Sequence, residues 1–198
     1  MAAKTHNELL ATYVAYLEER GCPAAKIPEG AKKTPDLEVS SHGTSYLNEF
    51  KSPEMQLDPE LNLYKFTTIN SKILGFVHTA IKQFKAHDPS HGKPWVVTFA
   101  SMNFQPNWHT MVEAMQGGIA VEGKVMQNWT GADTFKRWTE DRYIADLFVW
   151  LQIDPDKKPY QASFFTNERS PHRPLVEDFT QKLRSLPLSP VDNNWLLQ

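Results

Sequence analysis

The sequence contains almost no cysteine and little glycine. Cys22 is the only cysteine among 198 residues, so neither an internal disulfide nor a cysteine-rich zinc site can form. We expect Cys22 to pack at the end of a helix, because no histidine accompanies it in a motif that would activate a thiol. The 9 glycines, 40% hydrophobic residues and 22% charged residues are ordinary for a folded domain and unlike a disordered chain.

Long apolar runs and a strong net charge are also missing. No segment reaches the length that a membrane-spanning helix needs, and the first residues lack the apolar stretch of a signal peptide. We therefore expect an intracellular, cytoplasmic protein with no membrane partner. The formal net charge is −2, so no global positive field indicates a nucleic-acid partner, and any phosphate binding has to be local.

Several enzyme signatures are absent as well. The chain has no Gly-x-Ser-x-Gly, no Walker loop, no dinucleotide fingerprint and no His-Glu-x-x-His. His87 and His91 are four residues apart, which on a helix would suit zinc, but Pro89 lies between them and predicts a loop. The enzyme classes that depend on these motifs lose support.

The apolar periodicity predicts an α/β or α+β fold in a single domain over residues 1–198. The predicted elements are a helix over 7–20, a loop over 22–33, a hairpin over 34–51, a loop over 52–68, a helix that begins near 69, a strand over 95–100, a short helix over 107–116, a strand or hairpin over 119–129, a helix over 133–152, a strand over 160–167 and a helix over 175–186. No internal repeat or linker interrupts this series.

The segment over 34–51 predicts a β-hairpin that brings two acids together. His42 and Gly43 form a natural two-residue turn, because glycine tolerates a positive φ and the flanking residues alternate. Closing that turn pairs residues whose numbers sum to 85, which sets Asp36 directly opposite Glu49. The two carboxylates are therefore expected to be cross-strand neighbours.

Alternation along the two strands sorts the side chains onto two faces. The apolar face, suited to pack on the following helix, carries Leu37, Val39, Tyr46 and Phe50. The charged face carries Asp36, Glu38, Glu49 and Lys51, with Leu47 as its one large apolar member. Opposed like charges are unfavourable in a sheet, so this face needs a cation, supplied partly by Lys51 and otherwise by a bound Mg²⁺ or Ca²⁺. A solvated hairpin with coincidental acids is the alternative.

The order Pro35-Asp36, twelve residues, Glu49-Phe50-Lys51 resembles the signature of the PD-(D/E)xK nuclease superfamily, which includes type II restriction endonucleases and DNA repair nucleases. The resemblance implies a restriction-endonuclease-like fold, in which a central mixed β-sheet is flanked by helices, and metal-dependent hydrolysis of DNA. It also implies that Asp36, Glu49 and the Phe50 carbonyl bind Mg²⁺, with Mn²⁺ as a substitute, and that Lys51 assists attack on the phosphate.

Further residues are candidates for supporting roles. Glu8 and Glu38 are candidate accessory acids, although Glu8 also has capping-box spacing with Thr5. The candidate phosphate contacts are Lys32, Lys33, Lys72 and Lys82. We expect DNA as the partner and a homodimer, or a second protein, where both strands are cut. The alternative is a non-catalytic nucleic-acid-binding or protein-interaction module of the same fold, which the net acidity favours.

Overall fold

The computed structural model describes residues 6–30, 33–53, 66–102, 107–116, 118–121, 124–128, 140–154, 156, 158–185 and 193–197. Its helices are α1 (His6–Glu19), α2 (Phe66–His87), α3 (Trp108–Gln116) and α4 (Arg173–Arg184). Its strands are β1 (Ala24–Lys26), β2 (Leu37–Ser41), β3 (Thr44–Lys51), β4 (Trp95–Ser101), β5 (Gly118–Val121), β6 (Lys124–Asn128), β7 (Leu147–Ile153), β8 (Pro159–Asn167) and β9 (Asn193–Leu197).

The described strands form one main sheet and one small hairpin. The main sheet has the spatial order β1-β2-β3-β4-β7-β8-β9, and β5 pairs with β6 apart from it. Neighbouring strands are parallel at β3–β4, β4–β7 and β8–β9, and antiparallel at β1–β2, β2–β3 and β7–β8. The predicted fold class, an α+β fold with a central mixed sheet flanked by helices, is confirmed.

An apolar layer on each face of the sheet holds the helices in place. The layer under α2 and α3 includes Leu47, Ile73, Val77, Val97, Phe99 and Met111. The layer under α1 and α4 includes Leu9, Tyr13, Leu37, Phe50, Val149 and Phe179. Each large apolar side chain buried in this way stabilises the fold by about 2 kcal/mol. Because these side chains belong to the core, a site at the edge of the sheet has to be formed by the remaining side chains.

The hairpin formed by β2 and β3 has the predicted turn and register. His42 and Gly43 have φ values of 48° and 79°, and a type I′ turn requires positive φ at both central residues. Ser41 lies opposite Thr44, and the numbers of paired residues sum to 85 throughout the ladder. Asp36 stands just before the first residue of β2, at the end of this ladder.

The prediction of which helix covers the apolar face of the hairpin is wrong. Tyr13 of α1 stacks on Phe50, with ring centroids 5.6 Å apart, and Phe179 of α4 stacks on Tyr46 at 4.4 Å. The following helix, α2, covers the opposite face, which carries Leu47. The crossover from β3 through α2 to the parallel strand β4 can place its helix on one face only, and α1 already occupies the other. The charged face therefore lies beneath α2.

Residues 147–153 form a strand, so the predicted helix over 133–152 is wrong in that part. Residues 140–141 are helical, and residues 133–139 lie outside the described residues. β7 lies between β4 and β8, and all of its residues are buried. A strand that is buried on both faces is continuously apolar, so it lacks the alternation that would distinguish it from a buried helix.

The other predicted elements lie close to their expected positions. The strand or hairpin predicted over 119–129 is the β5–β6 pair, although residues 122–123 and 129 are outside the described residues. Cys22 is buried just after α1, where a packing role was predicted. Among the described residues, no helix has both the length and the apolar character that crossing a membrane requires.

Candidate active site

The charged residues of the hairpin meet where β3 continues past the end of β2. The antiparallel ladder ends one residue before Glu49, so Glu49, Phe50 and Lys51 extend beyond it. The chain bends at Asp36, whose Oδ2 accepts a 2.8 Å hydrogen bond from the Phe50 main-chain N–H. The carboxylate of Asp36 therefore takes the place of a main-chain acceptor and is held beside β3.

The main-chain carbonyl of Phe50 points toward the same side of β3 as Asp36. The N–H and C=O of one strand residue point to the same edge, and successive residues alternate between edges. The Leu47 N–H donates to the Pro94 carbonyl at 3.0 Å, which directs the odd-numbered residues of β3 toward β4. Phe50 is consequently directed away from β4, in agreement with its hydrogen bond to Asp36. The carboxylates of Asp36 and Glu49 and the main-chain carbonyl of Phe50 thus lie at one end of the hairpin.

Glu49 is a buried carboxylate with one oxygen engaged and the other unpartnered. Its side chain is 1% exposed, and Oε1 accepts a hydrogen bond from the ammonium of Lys51, whose side chain is 15% exposed. Oε2 is buried without a hydrogen-bond partner among the described residues. Burial raises the pKa of Glu49 to about 7, an effect that Lys51 opposes and Asp36 reinforces. Without a cation, the folded protein therefore favours the neutral form of this carboxyl more than solvent does.

Gln83 of α2 belongs to the site, although the sequence did not identify it. Its Nε2 donates a 2.9 Å hydrogen bond to the main-chain oxygen of Thr34, two residues before Asp36. Its Oε1 is buried and, like Oε2 of Glu49, has no hydrogen-bond partner among the described residues. Buried acceptors without a donor or cation are unfavourable, so both oxygens indicate a ligand or ordered water at this place.

One cavity of about 330 Å³ contains these groups. It lies between the end of the hairpin, the face of α2 and the segment that joins β1 to β2. Its charged and polar lining consists of Lys26, Glu29, Lys33, Thr34, Asp36, Glu49, Lys51, Thr79 and Gln83. The cavity is therefore polar, with charges of both signs, and it is large enough for a metal ion with its waters or for part of a nucleotide.

No family model, curated protein or solved structure matches this chain. The chemistry of the cavity must therefore be argued from its own residues. Of the predicted site residues, the structure brings together Asp36, Glu49 and Lys51 as lining residues of one cavity, with the main chain of Phe50 beside them.

The two predicted accessory acids are not among the residues that line this cavity. Glu8 lies on α1, which covers the opposite face of the sheet, and lines a separate groove with Lys158. The carboxylate of Glu38 accepts hydrogen bonds from Lys93, at 2.6 Å, and from Ser45. The bonds to Lys93 and Ser45 hold the pKa of Glu38 below its usual value. Alternation placed Glu38 on the charged face but could not reveal the distant Lys93 as its partner.

The predicted phosphate contacts divide between the cavity and the helix surface. Lys33 lines the cavity, and so does Lys26 of β1, another lysine that precedes the hairpin in sequence. Lys72 and Lys82 are exposed on α2 and are not part of the lining. Lys72 stands about two helical turns before the lining residue Thr79, so it lies on the same face of α2 at a greater distance. Lys32 lies outside the described residues.

A sequence signal for the contribution of α2 exists but is weak. Thr79 and Gln83 are four residues apart and lie off the apolar stripe of the helix, so they share a face. A polar helix face is usually solvated. The two positions gain a role only because the charged face of the hairpin lies beneath them.

Proposed function

We propose that the protein is a Mg²⁺-dependent nuclease of the PD-(D/E)xK type that hydrolyses phosphodiester bonds of DNA. The observation that carries this proposal is the convergence of Asp36, Glu49 and Lys51 in one cavity, where one buried oxygen of Glu49 lacks a partner among the described residues. A hairpin with a purely structural role gains nothing from a buried acid placed beside a second acid.

The residues fit a hard divalent cation. Mg²⁺ prefers oxygen ligands and keeps several waters, and the carboxylates of Asp36 and Glu49 with the Phe50 carbonyl would supply the protein oxygens. In the described part of the chain, no imidazole or thiolate lines the cavity, so the donor set favours Mg²⁺, with Mn²⁺ as a substitute, over Zn²⁺. A bound cation would supply Lewis acidity toward the phosphate and a lower pKa for bound water.

Lys51 is the residue best placed to act on the substrate itself. Its ammonium donates to Oε1 of Glu49 and its side chain lines the cavity, so it is held at the site by a short contact on its own strand. The ammonium has three N–H groups, of which one can remain on Glu49 while another reaches a phosphoryl oxygen. Because the side chain is only 15% exposed, its charge is screened less than that of a surface lysine and stabilises developing negative charge more strongly.

The charge balance of the cavity favours substrate binding after cation binding. Its charged lining residues are three lysines and three acids, so the formal charges cancel when all six are ionised. They are Lys26, Lys33 and Lys51, and Glu29, Asp36 and Glu49. A divalent cation would leave the cavity with a local excess of two positive charges, which attracts a phosphodiester. This order accounts for a DNA-cutting site in a chain whose formal net charge is −2.

The test is a cleavage assay on supercoiled plasmid and single-stranded DNA with Mg²⁺, Mn²⁺ or a chelator. We expect metal-dependent cutting by the wild type and a loss of about 100-fold or more in Asp36→Asn and Lys51→Ala, because one removes a ligand charge and the other removes charge stabilisation of the transition state. Asparagine keeps an oxygen that can accept the Phe50 N–H. Glu38→Gln is the matched control, because Glu38 lies on the same face of the hairpin and is engaged by Lys93; it should retain the wild-type rate.

Two results would count against this proposal. Metal-dependent cutting that both Asp36→Asn and Lys51→Ala retain would place the chemistry elsewhere. Tight DNA binding without any cutting by the wild type, in either metal, would instead support the non-catalytic binding module, which is the second class of function predicted from the sequence.

A further inference from the structure

We propose that His91, Asp146 and His172 form a second metal site, one for a transition metal of the Zn²⁺ class. His91 lies in the loop between α2 and β4, Asp146 directly before β7, and His172 directly before α4. One ring nitrogen of each histidine and one carboxylate oxygen lie within 4.8 Å of one another. Tetrahedral Zn²⁺ with bonds of about 2.1 Å places its ligand atoms about 3.4 Å apart, so small side-chain rotations would close the set around an ion.

The buried charge of Asp146 is the first argument for a cation here. The side chain is 0% exposed, and its partners include the Trp95 main-chain N–H on Oδ2 at 2.6 Å and the Ser170 hydroxyl on Oδ1 at 2.5 Å, both neutral donors. Within the described ranges, no lysine or arginine pairs with Asp146, and the Nε2 of His91 at 2.7 Å is the one group that could bring positive charge. A buried carboxylate is unfavourable without such a charge, and a metal ion would supply it.

The orientation of the histidines is the second argument. Nε2 of His172 lies 2.8 Å from the main-chain oxygen of His91, an atom that can only accept, so Nε2 carries the proton and the neutral ring has its lone pair on Nδ1. Metal-bound histidines are almost always oriented by donating their other N–H to a carbonyl or carboxylate. The ring of His91 stacks on Trp95 with centroids 3.9 Å apart, which limits its rotation.

The donor set selects the kind of metal. Two imidazoles and one carboxylate suit Zn²⁺ or Co²⁺, whereas Mg²⁺ prefers oxygen ligands such as those at Asp36 and Glu49. A bound metal ion would take the place of the proton between Nε2 of His91 and Oδ2 of Asp146, and this proton would pass to solvent. The ion would join the loop before β4, the start of β7 and the start of α4, so we expect it to stabilise the fold.

The test titrates Zn²⁺ and Co²⁺ into the full chain after treatment with a chelator, with Glu49→Gln as the parent so that the oxygen site does not compete. We expect one bound equivalent, the intense visible absorption of tetrahedral Co²⁺, and a higher melting temperature. His172→Gln keeps an N–H donor for the His91 carbonyl but loses the ring nitrogen, so Zn²⁺ affinity should fall by about 100-fold or more while the metal-free melting temperature stays near that of the parent.

His87→Gln is the matched control, because His87 is an exposed histidine at the end of α2, four residues before His91. Its Zn²⁺ affinity should equal that of the parent. Equal affinity in His172→Gln and the parent would overturn the proposal, and so would the absence of stoichiometric binding by the parent. The Co²⁺ spectrum of the parent tests the proposed tetrahedral coordination without any variant, because weak octahedral bands would exclude that coordination.

Discussion

Replacing Glu49 with glutamine is expected to abolish the metal-dependent cleavage that we propose and, at the same time, to stabilise the metal-free protein above neutral pH. The amide removes the negative charge that would hold the cation, and we expect a loss of about 1,000-fold or more in rate. The amide oxygen can still accept the hydrogen bond from Lys51, and the variant no longer carries an ionisable group in a position that is 1% exposed. Function and stability therefore respond in opposite directions to one substitution.

The gain in stability has a defined dependence on pH. Burial raises the pKa of Glu49 from 4.5 to about 7, so the folded protein favours the neutral carboxyl. The stability that neutral Glu49 contributes is fully present below pH 4.5 and is lost as the pH rises through about 7. A pKa raised this far corresponds to stability on the order of 3 kcal/mol, which is several degrees in melting temperature for a chain of this length.

Thermal denaturation of wild type and Glu49→Gln in a chelator, from acid to alkaline pH, measures this effect. The two proteins should melt alike near pH 4.5, and the variant should melt higher above about pH 7. Addition of Mg²⁺ should raise the melting temperature of the wild type and leave that of the variant unchanged. Glu177→Gln is a suitable control, because Glu177 is a half-exposed acid paired with Arg173 on α4. A difference between wild type and Glu49→Gln that is constant with pH would contradict the buried, titrating carboxyl.

The geometry of the hairpin could be predicted because the information for it is local. The two-residue turn at His42 and Gly43 determines the register, and the period of two then determines which side chains share a face. This reasoning set Asp36 opposite Glu49; the observed ladder ends one pair earlier, at Leu37 and Asn48, and both acids line the cavity. The bend of the chain at Asp36 and the hydrogen bond to the Phe50 N–H were not predicted, because they depend on where β2 ends.

The parts of the site that the sequence did not reveal depend on long-range packing. Gln83 lines the cavity because α2 covers the charged face, whereas the apolar pattern of the hairpin suggested that α2 would cover the other. His91, Asp146 and His172 come from three segments that are widely separated in the chain. Asp146 also lies directly before β7, which periodicity assigned to a helix, so the sequence did not reveal that Asp146 stands at the start of a central strand.

Very short strands were missed for a related reason. β1 has three residues, between Pro23 and Pro28, and its pairing with β2 is what makes it a strand. Intrinsic preference in so short a segment is weak compared with the contribution of a neighbouring strand. β1 matters for the site because Lys26 is its last residue and lines the cavity. Local sequence therefore did not reveal the strand that places Lys26 at the cavity.

Replacing Asp146 with alanine is expected to destabilise the metal-free protein by about 4 kcal/mol, the largest loss of stability that we expect from a single polar side chain. The carboxylate accepts hydrogen bonds from the Trp95 N–H, the Ser170 hydroxyl and Nε2 of His91. Truncation leaves the Trp95 N–H, at the first residue of a central strand, without an acceptor in a buried place. The melting temperature should fall by roughly 10 °C or more, as measured by circular dichroism in a chelator.

Asp178→Ala provides the matched comparison for this prediction. Asp178 also accepts from a histidine, Nδ1 of His42, at 2.7 Å, the same distance as in the pair of His91 and Asp146. The side chains of His42 and Asp178 are 56% and 47% exposed, so loss of that pair should change the free energy of unfolding by less than about 1 kcal/mol. Because the two histidine–aspartate contacts are equal in length, equal effects of the two substitutions would contradict the argument that burial makes Asp146 the organising acceptor at the start of β4 and β7.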